Sequence, residues 1–321
     1  MAMILSEANA RRGATTTFAI ETNNLTKKYK NQIAVNNVNL KVKNGEIYGL
    51  LGRNGAGKTS IMKMLLGLST VTSGKAYLFG KEIKGNQKEL YPRVGSTIET
   101  PSFYPDLTGY ENLKIFAQLR GTVSKDAIEK TLKIVNLPMN DKKAFSKYSL
   151  GMKQRLGIAN ALLNDPEILI LDEPTNGLDP IGIAEMRKFF KDLSVSFGKT
   201  ILLSSHQLSE IEQLVDTIGI IHEGVLLEEC SMSDLSNINR RHILVRVNDV
   251  KKAVLILEEQ FSITDYKISG TQSIQIFDLT NETKHINRAL LDANIDVSTL
   301  NVQMGNLEDY FKSITGGVGI A

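Results

Sequence analysis

The stretch IYGLLGRNGAGKTSIMKML, residues 47–65, decides how this chain folds. Its first five residues read as a short buried strand. GRNGAGKT, residues 52–59, fits the pattern G-x-x-x-x-G-K-[ST]; after it Ile61, Met64, Leu65 and Leu68 share one face and predict a helix over 59–68. A glycine-rich turn between buried strand and helix lets backbone N–H groups wrap phosphate oxygens, and the helix N-terminus adds positive potential. Gly52, Asn54, Gly55, Ala56 and Gly57 would form that cradle. Lys58 would reach the β- and γ-phosphates, Thr59 would hold Mg²⁺, and Ser60 would donate to an α-phosphate oxygen. The ordinary alternative is a glycine-rich turn with a solvated lysine.

A second segment completes the chemistry. In ILILDE, residues 168–173, four apolar residues form a buried strand and Asp172 emerges at its carboxyl end, where ligands bind in open α/β sheets. Asp172 would fix the Mg²⁺, and Glu173, projecting differently, would polarise a water in line with the γ-phosphate.

Outward from these segments, residues 18–50 alternate as β structure, 108–163 are largely helical, 181–197 and 207–216 read as helices, and 218–229 as a hairpin. Strands alternating with helices imply an α/β domain with a substantially parallel sheet. Past Cys230 the texture changes to β-α-β-β-α-β, the order of a small ferredoxin-like α+β domain, with a last amphipathic helix over 307–314. The expected organisation is a loose tail over 1–17, a nucleotide-binding domain over 18–230 and an accessory domain over 231–321.

The 321 residues suit about two domains. With 42% hydrophobic and 23% charged residues the chain is of ordinary globular composition, neither disordered nor fibrous. Its one cysteine forms no intramolecular disulfide, which fits a reducing compartment. The net charge of +3 is too small to argue for nucleic acid. No stretch has the length of an apolar membrane span, and the first residues lack a secretory core, so a cytoplasmic location is expected.

With these motifs in order, residues 18–230 resemble the ATP-binding subunits of ABC transporters, P-loop NTPases with a helical subdomain, here about 101–160. Tyr29, in LTKKYK, sits where the family stacks an aromatic on adenine. NGLDP, residues 176–180, looks like the D-loop and carries Asp179; SSH, residues 204–206, places His206 at the switch histidine that contacts the γ-phosphate. Taken singly, each has an ordinary alternative, a strand-edge tyrosine, a turn aspartate and a surface histidine; their joint order carries the resemblance.

Two motifs depart from the family pattern. YSLGM, residues 148–152, replaces most of the LSGGQ signature but keeps Ser149 and Gly151, so that Ser149 can cap a helix whose N-terminus meets the γ-phosphate held by the opposite subunit. Glu99 stands where the family has the Q-loop glutamine, and would face Mg²⁺ through water. This change and the chain's ending look most like the lantibiotic-immunity and bacitracin-resistance subgroup.

The resemblance implies a head-to-tail homodimer with two ATPs at its interface, a separate transmembrane permease as partner, and a peripheral place at the inner face of the membrane. The implied activity is ATP hydrolysis powering export of a peptide antibiotic. Another ABC-2-type drug or polymer exporter is the alternative. A non-transport ATPase acting on ribosomes or DNA fits less well, because the chain has one P-loop and no sustained heptads; no nucleic-acid partner is expected. The intact Lys58, Asp172, Glu173 and His206 argue against an ATP-binding module without turnover.

Overall fold

The computed structural model describes residues 17–99, 102–121, 125–238, 241–280, 282–303, 311, 314 and 315. The tail expected over 1–17 lies outside them except for Thr17, as does most of the helix expected over 307–314. The chain divides into two compact units, one reaching to Met232 and the other spanning Ser233–Phe311.

In chain order the first unit contains β1 (Phe18–Tyr29), β2 (Gln32–Val38), β3 (Lys41–Lys43), β4 (Ile47–Leu51), α1 (Lys58–Leu65), β5 (Ser73–Leu78), β6 (Lys81–Glu82) and β7 (Val94–Thr97). Then follow α2 (Gly109–Leu119), α3 (Lys125–Ile134), α4 (Leu150–Leu162), β8 (Ile168–Leu171), α5 (Pro180–Phe197), β9 (Thr200–Ser205), β10 (Thr217–His222) and β11 (Val225–Ser231). One sheet is antiparallel, ordered β2-β1-β5-β6 with β3 also on β1. The other is ordered β11-β10-β4-β9-β8-β7 and is parallel from β10 through β7. Every residue of β4, β8 and β9 is buried. Such continuous runs, without polar alternation, are what a parallel sheet covered on both faces requires. The carboxyl ends of β4, β8 and β9 therefore lie side by side, and each carries one of the motifs.

Two expected helices are shorter. The one expected over 59–68 is α1, which stops because Gly67 takes a left-handed φ of 67° and the chain turns back. The one expected over 207–216 is a single turn, Leu208–Ile211. Asp216 has to meet β4, donating its N–H to Ile47 O and accepting from Ile47 N–H at 2.8 Å each, and this draws the chain out of the helix.

The helical region starts with a capping box: Thr108 Oγ1 accepts from Glu111 N–H while Glu111 Oε2 accepts from Thr108 N–H. Asn112 is fully buried; its amide donates to the carbonyls of Tyr104, Leu107 and Thr108 and accepts from Tyr104 N–H. It pins the loop that leads from the sheet into α2.

The second unit holds β12 (His242–Val247), α6 (Val250–Phe261), β13 (Tyr266–Ser269), β14 (Ser273–Ile276), α7 (Thr283–Asp292) and β15 (Val297–Gln303). Its sheet is ordered β13-β14-β12-β15, antiparallel throughout. Ile243, Val245, Leu257, Ile274, Ile286 and Leu290 lie in its core. Among the described residues no helix is long and apolar enough to cross a membrane.

Candidate functional site

The loop 52–57 needs its glycines for two reasons. Gly55 and Gly57 have φ of 84° and 111°, where a side chain is strained. A Cβ at Gly52 would stand 2.3 Å from Ile221 O, and one at Gly57 would stand 2.6 Å from Ala34 O. The loop is thereby pressed against β10 and β2 and leads directly into the start of α1, where the helix dipole favours an anion.

Lys58 is 5% exposed. Its Nζ donates to Gly52 O at 2.6 Å and Arg53 O at 3.2 Å, and pairs with Glu173 Oε1 at 3.2 Å. The next residue, Thr59, donates through Oγ1 to Asp172 Oδ2 at 2.8 Å. The other Asp172 oxygen accepts from Ser204 Oγ at 2.6 Å, and that same Oγ accepts from Glu173 N–H at 2.9 Å. Glu173 takes φ 48°, a left-handed turn that swings its carboxylate away from the strand direction. Its Oε2 lies 2.6 Å from His206 Nδ1, while Gln207 Nε2 lies 3.2 Å from His206 Nε2. Donation from Nδ1–H to Glu173 and acceptance at Nε2 from the Gln207 amide satisfies both contacts. Lys58, Thr59, Asp172, Glu173 and His206, from three parts of the sequence, therefore form one connected group.

Mg²⁺ fits the donor set. The Thr59 hydroxyl and Asp172 carboxylate are hard oxygen ligands already in mutual contact, and Mg²⁺ is usually held by one or two carboxylates together with substrate phosphates.

The remaining candidates are placed differently. Tyr29 ends β1, is 45% exposed, and its hydroxyl lies 3.2 Å from Ser69 Oγ. Bonding to Ser69 lowers its phenol below the ordinary value; Ser60 and the nearby Lys27 act in the same direction. The Lys27 ammonium sits 4.7 Å from the ring centroid. Ser149 caps α4, accepting from Met152 N–H at 3.3 Å. A Cβ on Gly151 would meet nothing nearer than Leu178 Cδ2 at 3.8 Å, so packing within this chain does not require a glycine there. Asp179 caps α5, accepting from Gly182 N–H at 2.8 Å.

Glu99 is not hydrogen-bonded to Thr59 or Asp172. It sits at φ 61° on an exposed turn after β7 and pairs with Lys63 at 2.7 Å. That hydrogen bond holds the Glu99 carboxyl below its ordinary value and raises Lys63, on which Asp172 also acts. Lys63 and Glu99 thus form an exposed ion pair one turn of α1 beyond Thr59.

Sequence reasoning missed Lys63, Ser204 and Gln207, and it missed the reason for Tyr148. Tyr148 OH accepts from Gly109 N–H at 3.2 Å and its ring packs on Phe145, so this departure in the signature ties α4 to the start of α2. Leu150 and Gly177 also proved to be neighbours: a Cβ on Gly177 would stand 2.9 Å from Leu150 Cδ2, which brings the YSLGM and NGLDP segments together within one chain.

Residues 35–176 match the family model described as ABC transporter. A bacitracin transport ATP-binding protein, BcrA of Enterococcus faecalis, is 53% identical over 305 residues, covering 95% of this chain and 98% of the relative. The chain belongs to the ABC transporter ATP-binding proteins. A lantibiotic transport ATP-binding protein, SrtF of Streptococcus pyogenes, is 48% identical over 206 residues, 64% of this chain and 88% of that protein. Among solved structures, an ATP-binding subunit of an ABC transporter superposes with TM-score 0.60 at 29% identity, over 68% of this chain and 92% of that one. A dimeric ATP-binding cassette in a post-hydrolysis state, bound to ADP and Pi, superposes with TM-score 0.60 at 26% identity, over 66% of this chain and 98% of that one. This ABC protein is accordingly an ATPase of the P-loop α/β type that binds ATP; family members work with transmembrane permeases.

Proposed function

We propose that this ABC ATPase drives export of a peptide antibiotic of the bacitracin or lantibiotic type through a separate permease, from the cytoplasmic face of the membrane. The observation that carries the cargo class is the end-to-end similarity to a bacitracin transport protein, which includes residues beyond the nucleotide-binding region. The hydrolytic part of the reading is supported by the contact of Glu173 with both Lys58 and His206.

In this reading Thr59 and Asp172 hold Mg²⁺, which when bound neutralises phosphate charge and orients the terminal phosphoryl group. The loop Gly52, Asn54, Gly55, Ala56 and Gly57 binds the phosphates through backbone N–H groups, and Ser60 adds a hydroxyl. Lys58 exchanges its contacts with the two carbonyls and with Glu173 for phosphate oxygens, which releases Glu173 Oε1 to accept a proton from the attacking water. His206, held by Glu173 and Gln207, presents its ring toward the terminal phosphate. Tyr29 stacks on the adenine.

Two copies then associate head to tail. Ser149 and Gly151 of each meet the ATP held by the other, and Asp179 lies at the same seam; the open space beside Gly151 supports close approach of another surface. Because γ-phosphate supplies contacts to the partner, ATP favours the closed dimer and hydrolysis opens it. Glu99 and Lys63, where the sheet leads into the helical region, connect nucleotide to permease. The test is resistance: cells carrying this protein with its permease are expected to tolerate bacitracin or a lantibiotic, and Glu173→Gln is expected to abolish that tolerance. Unchanged sensitivity to every peptide tried, with ATPase activity intact, would overturn the cargo class.

A further inference from the structure

The flanks of Glu173 and His206 are joined by a carboxylate that belongs to neither motif. Glu210 lies on the turn Leu208–Ile211 and is 5% exposed. Its Oε2 accepts from Thr175 Oγ1 at 2.6 Å and lies 3.4 Å from Ser205 Oγ, whose single proton it shares with Gln207 O at 3.1 Å. Thr175, itself buried, stands two residues after Glu173, and Ser205 stands immediately before His206. One oxygen therefore spans the gap between the two loops that present the hydrolytic pair. On the outer side Arg187 of α5 donates to Ser209 O at 3.4 Å, Glu210 O at 3.5 Å and Gln213 Oε1 at 2.5 Å, which clamps the turn in place.

Among the described residues no basic side chain lies within ion-pair distance of this carboxylate. Burying a carboxylate without a counter-ion is unfavourable, and an apolar side chain would fill the space at lower cost. The group is therefore explained by what it holds. Its two donors report on two separate loops, and a third link between those loops, Ser204 Oγ with Asp172 and Glu173, lies nearer the sheet. The Glu210 link is further along both loops and fixes how they diverge after leaving β8 and β9.

We propose that Glu210 is a positioning residue for ATP hydrolysis, setting the separation of Glu173 and His206 by tying Thr175 to Ser205. The inference rests on the proposed hydrolytic roles of those two residues. Misplacing a reacting group by about an ångström costs on the order of 100-fold in rate, whereas the phosphate loop, which supplies most nucleotide contacts, is untouched by Glu210.

The experiment uses the full chain, with steady-state ATP hydrolysis and binding of a fluorescent ATP analogue. Glu210→Ala is expected to lower kcat by about 10- to 100-fold with KM within about twofold. Glu210→Gln keeps an amide oxygen that accepts from both hydroxyls and is expected to retain kcat within about threefold of the parent. Thr175→Val keeps the volume and removes the donor; it should lose kcat as Glu210→Ala does, and the double variant should lose no more than either single one. Parental kcat in Glu210→Ala or Thr175→Val overturns the proposal, as does a raised KM with kcat preserved, or a Gln variant as impaired as the Ala variant. If Glu210→Ala does not fold, Glu210→Gln and Thr175→Val decide. Glu173→Gln is measured beside them: turnover retained there removes the hydrolytic pair itself, whereas its loss together with a parental Thr175→Val removes Glu210 alone.

Discussion

Glu173 and His206, 33 residues apart in sequence, share a hydrogen bond of 2.6 Å, and the other Glu173 oxygen reaches Lys58 at 3.2 Å. One carboxylate thus touches both the residue expected to hold phosphate and the residue expected to sense it. Its two oxygens are committed separately, so the two partners can be tested separately.

Glu173→Gln preserves shape but removes basicity and charge. It is expected to cut kcat by about 10²- to 10⁴-fold, the usual contribution of a general base, while nucleotide binding persists. His206→Ala should lower kcat with Glu173 still paired to Lys58. Single-turnover kinetics together with size-exclusion chromatography in ATP check both: Glu173→Gln should accumulate as an ATP-loaded dimer. Parental turnover would remove Glu173 from the chemistry.

Gly151 offers a test that folding does not confound. The nearest atom to an added Cβ is 3.8 Å away, an ordinary contact, and alanine is the better helix former by about 1 kcal/mol. Gly151→Ala should therefore keep or raise Tm in the isolated chain. If the glycine exists for close approach of a second copy, the same change should abolish ATP-dependent dimer formation by light scattering. A normal dimer would show that the space beside Gly151 is simply solvent.

Glu99 is an exposed residue bonded to Lys63, so neither Glu99→Gln nor Glu99→Ala should move Tm measurably. The variants should leave ATP affinity of the isolated subunit near normal. Resistance in cells carrying the permease should fall in Glu99→Ala, and Lys63→Met should give the same defect if the pair works as a unit. Full resistance in Glu99→Ala would reduce the pair to a surface ion pair.

Asn112 is fully buried with all its amide groups used. Asn112→Ala leaves Tyr104 N–H without its acceptor, while the carbonyls of Tyr104 and Leu107 keep only their backbone donors from Leu107 and Phe145, and is expected to destabilise the fold by about 1–3 kcal/mol, the cost of an unsatisfied buried group. Urea unfolding reads this directly. Asn112→Asp should be no better, since a carboxylate cannot donate to those carbonyls.

The phosphate loop and the segment ending in Asp172 and Glu173 were legible because each is a local object. A buried strand, a turn and a helix start follow one another within a few residues, and the residue types that bind phosphate or magnesium are dictated by chemistry at that spacing. The β-α-β-β-α-β order over residues 242–303 was legible for the same reason, as periodicity changes within short windows. Helix ends were less so: the helix expected over 207–216 loses its second half to Asp216, whose partner Ile47 is 169 residues away.

The order of motifs along the chain was determined by the sequence; how they lock together was decided only by the tertiary structure. Ser204, a polar residue at the end of a fully buried strand, has no pattern that marks it, yet it carries both Asp172 and the Glu173 amide. Glu99 was marked by its place in the motif, and its partner Lys63, one turn further along α1 than Thr59, was not. Glu210 read as one more helix glutamate until the parallel pairing of β8 and β9 set Thr175 and Ser205 on either side of it. The physical reason is common to all three. Hydrogen bonds and ion pairs act over about 3 Å whatever the distance along the chain, and the register of a parallel sheet, set by burial across many residues, chooses which strand ends come within that range.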